Sequence, residues 1–513
     1  GKWSPDAALA AAPAVATGFL QTPTGIQPLH PLAAPRSPGE NRSAAIRGLR
    51  QEGDSQTVST TASHGAIDWR VVEEEATRHL QTLLRLDTTN PPGNETLAAD
   101  YLAGKLRAEG IEVEIVEAAP GRGNLVARLR AANPGGRPLL LMGHTDVVSV
   151  EREAWSRDPF GGELVDGELW GRGAIDMKSQ VAAGLTVMLL LQRQGVSLDR
   201  DVIFAAFADE EAGGGDGAAW LWEHRRELID AEYAINEGGG WPITLGGERF
   251  YLCQAGEKGA SRLRITARGV PGHASVPLDD TAMRRLGVAL TRLHAWEPPT
   301  VLTSPVRLLL ESLADALGGQ TATTVAAILA NPTWEAMAAL PLDDDTRRML
   351  RATTRNTAVP TIVHGGHRIN VIPSEVVLDV DGRILPDEDP HAWRELVQSV
   401  VGDEVEVSLL SEETGIAADP ASPLYEAIVA TMAELAPGTR VAPYLVSGGT
   451  DARHLPDVKV YGFFPTTPTA PVALYSSLIH GHDERIDVAD LAMGTRFMYE
   501  LVTRFCGSTP EPG

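Results

Sequence analysis

Cysteine is nearly absent: Cys253 and Cys506 are the only two in 513 residues. A pair so far apart builds neither a disulfide framework nor a thiolate zinc site. Both are expected as buried small apolar residues, and any zinc must then be held by His, Asp and Glu. The scarcity leaves the compartment open, with a cytoplasmic location slightly favoured over secretion.

Positive charge is also short. Lys and Arg number 44 against 68 Asp and Glu, a formal net charge of -24. That balance excludes a nucleic-acid binder, because phosphate recognition needs clustered Lys and Arg. Part of the acidity is a solubilising surface; part can be carboxylates gathered to hold cations. Long apolar runs are missing as well. Nothing approaches the roughly 20 residues that cross a bilayer, and the longest stretch, Val181 to Leu191, reads as a buried helix. No membrane span is expected.

What remains is a chain too long for one ordinary core, with a normal hydrophobic fraction of 43%. Residues 1–65, rich in Ala, Pro, Gly, Ser and Thr and without periodicity, are expected to form a disordered leader. Trp69, Val72, Ala76, Leu80 and Leu84 then mark a helical face. Buried apolar strands follow at Pro138 to Met142, Val202 to Ala208 and Glu232 to Ile235, with a long helix at Met177 to Gln194. This alternation predicts an α/β fold, a mostly parallel sheet covered by helices, for residues 66–255 and again for 412–513. Between them, residues 256–411 read as an inserted α+β domain, with neighbouring strands at Thr361 to Val371 and Glu375 to Ile384. A helical extension at about 296–355 is assigned to that insert.

In a parallel sheet, ligands bind at the carboxyl ends of the strands. Here three strand ends deliver metal-type residues: His144 and Asp146, then Glu210 and Glu211, then Glu237. A fourth segment places Asp176 just before the long helix. Zinc without thiolates takes imidazole and carboxylate, and two close ions need a bridging carboxylate. Asp146, two residues after His144, suits the role of orienting a ligating imidazole, and Glu210 and Glu211 can divide the work of base and ligand.

The segments GHTDVV, GRGAIDMKS, DEEAGG, NEGG and IHGHDE, in this order, resemble the co-catalytic dinuclear zinc peptidase and acylase family that includes aminoacylase, carboxypeptidase G and carboxypeptidase S. The resemblance implies two divalent metal ions, zinc first, with cobalt or manganese as alternatives. It implies Asp176 as the bridge, His144 and Glu237 on one metal, Glu211 and His480 on the other, Glu210 as the base and Asp146 behind His144. It further implies that the insert is a lid and dimerisation domain contributing His273, Asn370 and Arg383, and that a loop with Gly448 and Gly449 lines the substrate site. The implied activity is hydrolysis of an amide next to a free carboxylate, in an N-acyl amino acid or at the C-terminal bond of a short peptide, by a homodimer. The extension is reminiscent of carboxypeptidase S and of secreted N-fatty-acyl amino acid hydrolases, which implies a large or apolar acyl group. A dipeptidase or aminopeptidase of the same family, and a non-catalytic binding protein on the same fold, are the alternatives.

Overall fold

Apolar strands of four to six residues with at most a terminal position exposed belong inside a sheet covered on both faces. A computed structural model, which describes residues 67–508, places them there. The leader expected over residues 1–65 lies outside the described residues.

Strands Leu139–His144, Val202–Phe207, Tyr233–Asn236 and Lys459–Gly462 pair in parallel at the centre of a ten-stranded sheet. Gly123–Leu129 and Glu112–Glu117 extend one side antiparallel. Glu248–Glu257 extends the other, pairing with Pro242–Leu245, Arg440–Val446 and Ile416–Ala417. Helices Trp69–Leu84, Lys178–Gln194 and Val488–Cys506 pack on one another over the sheet. The helix Lys178–Gln194 is buried along its first 14 residues and stops at Gly195, whose φ of 58° is left-handed. Each fully buried Leu, Val or Phe contributes roughly 1.5–3 kcal/mol of transfer free energy. Cys253 and Cys506 are both buried and unpaired.

A second, antiparallel sheet of five strands runs between residues 259 and 409. Leu263–Arg268 lies between Glu375–Ile384 and Val405–Leu409, and Thr357–Gly365 pairs with Glu375–Ile384. Helices Ala282–Ala295 and Pro390–Val401 close its core on Leu263, Ile265, Leu378 and Val397. The strand expected at Thr361 to Val371 starts and ends earlier. Gly366, at φ 75°, turns the chain out of the ladder, and Val371–Ile372 pairs instead with Gly272–His273.

The helices Ser304–Leu317, Gly319–Ala330 and Asp344–Thr353 do not join the core of this second sheet. Their apolar faces, among them Val306, Leu310, Ile328 and Leu350, pack on Leu245, Phe250, Leu252, Ala442 and Leu445 of the large sheet. No described helix is long and apolar enough to cross a membrane.

Candidate metal centre

The strand Leu139–His144 is buried along its whole length and delivers His144, only 1% exposed, at its carboxyl end. His144 Nδ1 lies 3.0 Å from the Asp146 carbonyl and 3.4 Å from Asp146 Oδ1. Asp146 therefore holds the ring through backbone as well as side chain and leaves Nε2 free to face the site. Its two carboxylate oxygens also accept the backbone N–H groups of Glu210 and Glu211, at 3.1 and 3.0 Å. Two strand ends are thus tied together by one buried carboxylate.

Asp176 comes from the loop before the long helix, and a distant residue shapes that loop. Glu484, fully buried, accepts N–H bonds from Gly173, Ile175 and Asp176 at 3.0, 2.7 and 3.1 Å, and pairs with Arg172 at 2.7 Å. Arg172 also donates to the Gly481 carbonyl. The segment IHGHDE thus supplies both a histidine facing the site and the anion that folds the opposite loop.

Asp176 then faces two imidazoles. Its Oδ1 lies 3.1 Å from His144 Nε2 and its Oδ2 lies 3.3 Å from His480 Nε2. His480 Nε2 is also 3.1 Å from Glu211 Oε2, and His144 Nε2 is 3.8 Å from Glu237 Oε1. Donor atoms of His144, Asp176 and Glu211 lie within 4.8 Å of one another, as do those of His144, Glu210 and Glu237.

The electrostatics of this cluster suit cations. Burial alone would pull the His144 imidazole down, but Asp146 and Asp176 hold it well above its ordinary value. Asp176 and Glu211 raise His480 to about 10. Burial pushes Glu210 up to about 7 and Glu237 well above the carboxylate range, with Asp176 adding to the rise at Glu237. Imidazoles and carboxyls crowd together here in burial, and divalent cations would compete with protons for them, which is the chemistry of a thiolate-free zinc donor set.

His273, Asn370 and Arg383 lie on the second sheet and its loops. His273 Nδ1 accepts the Ser275 hydroxyl at 2.7 Å, and the Asn370 carbonyl accepts the Ala274 N–H at 3.0 Å. Both side chains are exposed, and no described hydrogen bond links them to the cluster. Arg383 Nε donates to Asp381 at 2.8 Å. Gly448 and Gly449 precede Thr450, which Glu257 fixes through both backbone N–H and hydroxyl, at 3.0 and 2.8 Å. Glu484, Asn90 and Arg122, the last two contacting Asp146 or Asp209, are contributors that local sequence reading misses. Glu484 closes the segment IHGHDE and Asn90 opens NPPG, but neither pattern announces its partner.

Beside Asp176 and Glu237 a cavity of about 430 Å³ opens, walled by Trp241, Leu252, Met349, Tyr444, Phe464 and Ile479. Tyr444 spends its hydroxyl on the Gly238 carbonyl, and the lining residue Tyr475 spends its own on Asp490. Met349 is the one lining residue from the extension.

Residues 140–504 match the sequence profile of peptidase family M20/M25/M40. The chain belongs to that family. Among M20 relatives, it is 28% identical over 396 residues to the probable carboxypeptidase S-like 2 of Dictyostelium discoideum, covering 74% of each chain. It is 28% identical over 382 residues to the N-fatty-acyl-amino acid synthase/hydrolase PM20D1 of Xenopus tropicalis, covering 71% of this chain and 72% of that one. The M20 metallo-carboxypeptidase Sso-CP2 of Sulfolobus solfataricus shares the fold, with a TM-score of 0.64 at 18% identity over 84% of this chain and 99% of its own. As an M20 member, the chain is a hydrolase of the metallopeptidase type.

Proposed function

We propose that the chain hydrolyses an amide bond adjacent to a free carboxylate, preferring N-acyl amino acids with an apolar acyl group, with C-terminal peptide bonds as the next class. The observation that carries this reading is Asp176, which faces His144 and His480 and lines, with Glu237, a cavity that is otherwise uncharged and largely apolar. His144, Glu237 and one oxygen of Asp176 would hold one metal ion; Glu211, His480 and the other oxygen would hold a second. Zinc suits this set best, with cobalt or manganese as alternatives. Two such ions supply the Lewis acidity that activates water and polarises the amide carbonyl.

The chain's own groups do the rest. Glu210 takes the proton from the attacking water and returns it to the leaving nitrogen. Asp146 keeps His144 oriented. Arg383, which forks onto Asp381 in this structure, would exchange that partner for the substrate carboxylate, Asn370 would bind beside it, and the Gly448-Gly449 backbone would line the site. His273 donates to the developing oxyanion. Its position on the exposed part of the small domain fits delivery from a second copy. The open edge of strand Thr357–Gly365, with Val359, Ile362 and Val363 exposed, supports pairing between two such domains in a homodimer.

Beyond Asp176 and Glu237 the cavity carries no acidic group to anchor a substrate ammonium, which favours an acylase over a dipeptidase or aminopeptidase. The complete donor set favours an enzyme over a binding protein. A panel of N-acyl amino acids, dipeptides and C-terminal peptides, assayed with zinc, cobalt and manganese, tests the reading. Glu210→Gln is expected to keep its metal and to lose turnover by a hundredfold or more; a normally active Glu210→Gln would remove the base assignment.

A further inference from the structure

The base and one proposed ligand, Glu210 and Glu211, sit on a short turn after strand Val202–Phe207, and the residue before them sets their direction. Asp209 adopts φ 70°, a left-handed backbone uncommon outside glycine, and its side chain is held by several partners. Asp209 Oδ1 accepts from Arg122 Nη2 and, at 3.0 Å, from Asn90 Nδ2; Asp209 Oδ2 accepts the Asp216 N–H at 3.0 Å. Arg122 is itself fixed, 3.0 Å from Glu95 Oε1 and 3.0 Å from the Pro92 carbonyl. Two residues further on, Asn124 accepts the Ala208 N–H at 3.0 Å and donates to the Asp216 carbonyl at 2.9 Å.

Asn90 joins this clamp to the metal centre. The same Nδ2 that donates to Asp209 donates to Asp146 Oδ2 at 2.9 Å, and Asp146 holds both His144 and the amides of Glu210 and Glu211. One side-chain amide, buried to 9% exposure, uses both of its hydrogens to bridge two carboxylates. An Asp here would add a third anion, a Ser hydroxyl could reach only one of the two, and an Ala neither.

We propose that Asn90 is a positioning residue for the reaction. By locking Asp209 to Asp146, it fixes the Glu210–Glu211 turn against His144, so that base and ligand face Asp176 from one side. Arg122 anchors the far end of the same chain of bonds. The inference rests on Glu210 acting as the base, and it goes beyond that reading by naming what aims it.

The test uses full-length, zinc-loaded protein and the best substrate of the N-acyl panel. Asn90→Ala is expected to lower kcat at least tenfold with KM within threefold of wild type and with unchanged metal content, measured well below its melting temperature. Asn90→Ser, which keeps one of the two links and is the milder change should Asn90→Ala fold poorly, is expected to fall between. Asp209→Gly keeps the left-handed backbone and removes the carboxylate; combined with Asn90→Ala, it is expected to cost no more than the worse single variant, because both break one linkage. A kcat within twofold of wild type in Asn90→Ala, or full recovery on adding excess zinc, would overturn the proposal. Glu210→Gln is run alongside: if it is active, the base reading fails, whereas an inactive Glu210→Gln with a normal Asn90→Ala removes only the positioning role.

Discussion

Glu484 and Asp176 are 308 residues apart in sequence, yet the Glu484 carboxylate accepts the Asp176 backbone N–H at 3.1 Å. The presentation of the carboxylate that faces both histidines thus depends on an anion carried by the same segment as His480.

Glu484→Gln tests that dependence. The amide would turn an NH2 group toward the N–H donors of Gly173, Ile175 and Asp176 and weaken the Arg172 pair. Metal affinity is expected to fall by about 10- to 100-fold, read by titration calorimetry or competition with a chelator. Unchanged affinity would assign Glu484 to folding alone.

Lys258 makes a pH prediction. It is buried, donating to the carbonyls of Ala352 and Arg355 and to Thr357 Oγ1. Burial, with Arg383 nearby, lowers its ammonium to about 7 from the ordinary 10.5. Between those values the folded chain binds fewer protons than the unfolded one, so stability rises as pH rises through this window, and the full penalty applies below it. The melting temperature of wild type relative to Lys258→Met is therefore expected to climb by a few degrees from pH 7 to 10. A flat difference would show that Lys258 stays charged.

Met349 reports on the cavity. Met349→Trp puts a larger side chain into the space of about 430 Å³ beside Asp176 and Glu237. It is expected to lower kcat/KM for dodecanoyl amino acids tenfold or more while leaving acetyl amino acids within threefold. An equal effect on both chain lengths would place the acyl group elsewhere.

The central strands were legible because six-residue apolar runs such as Val202–Phe207 ending in acids have few other readings. The ligand-type residues at their ends were legible for the same reason. Other features rest on contacts that no local pattern encodes. Asn90 reaches Asp146 across 56 positions and Asp209 across 119, and Arg122 reaches Asp209 across 87. The helices of the extension show apolar faces in sequence, but a face does not declare its partner, and the partner is the large sheet at Leu252 and Leu445. Strand Thr357–Gly365 ends before its sequence pattern does, because β-branched residues continue past Gly366, where a positive φ ends the ladder.

Whether Asp176 would hold two metal ions together is measured directly by native mass spectrometry of zinc-loaded wild type and Asp176→Asn. Two ions per chain in the wild type and at most one in Asp176→Asn is the predicted result. One ion or none in the wild type, or two retained in Asp176→Asn, would contradict it.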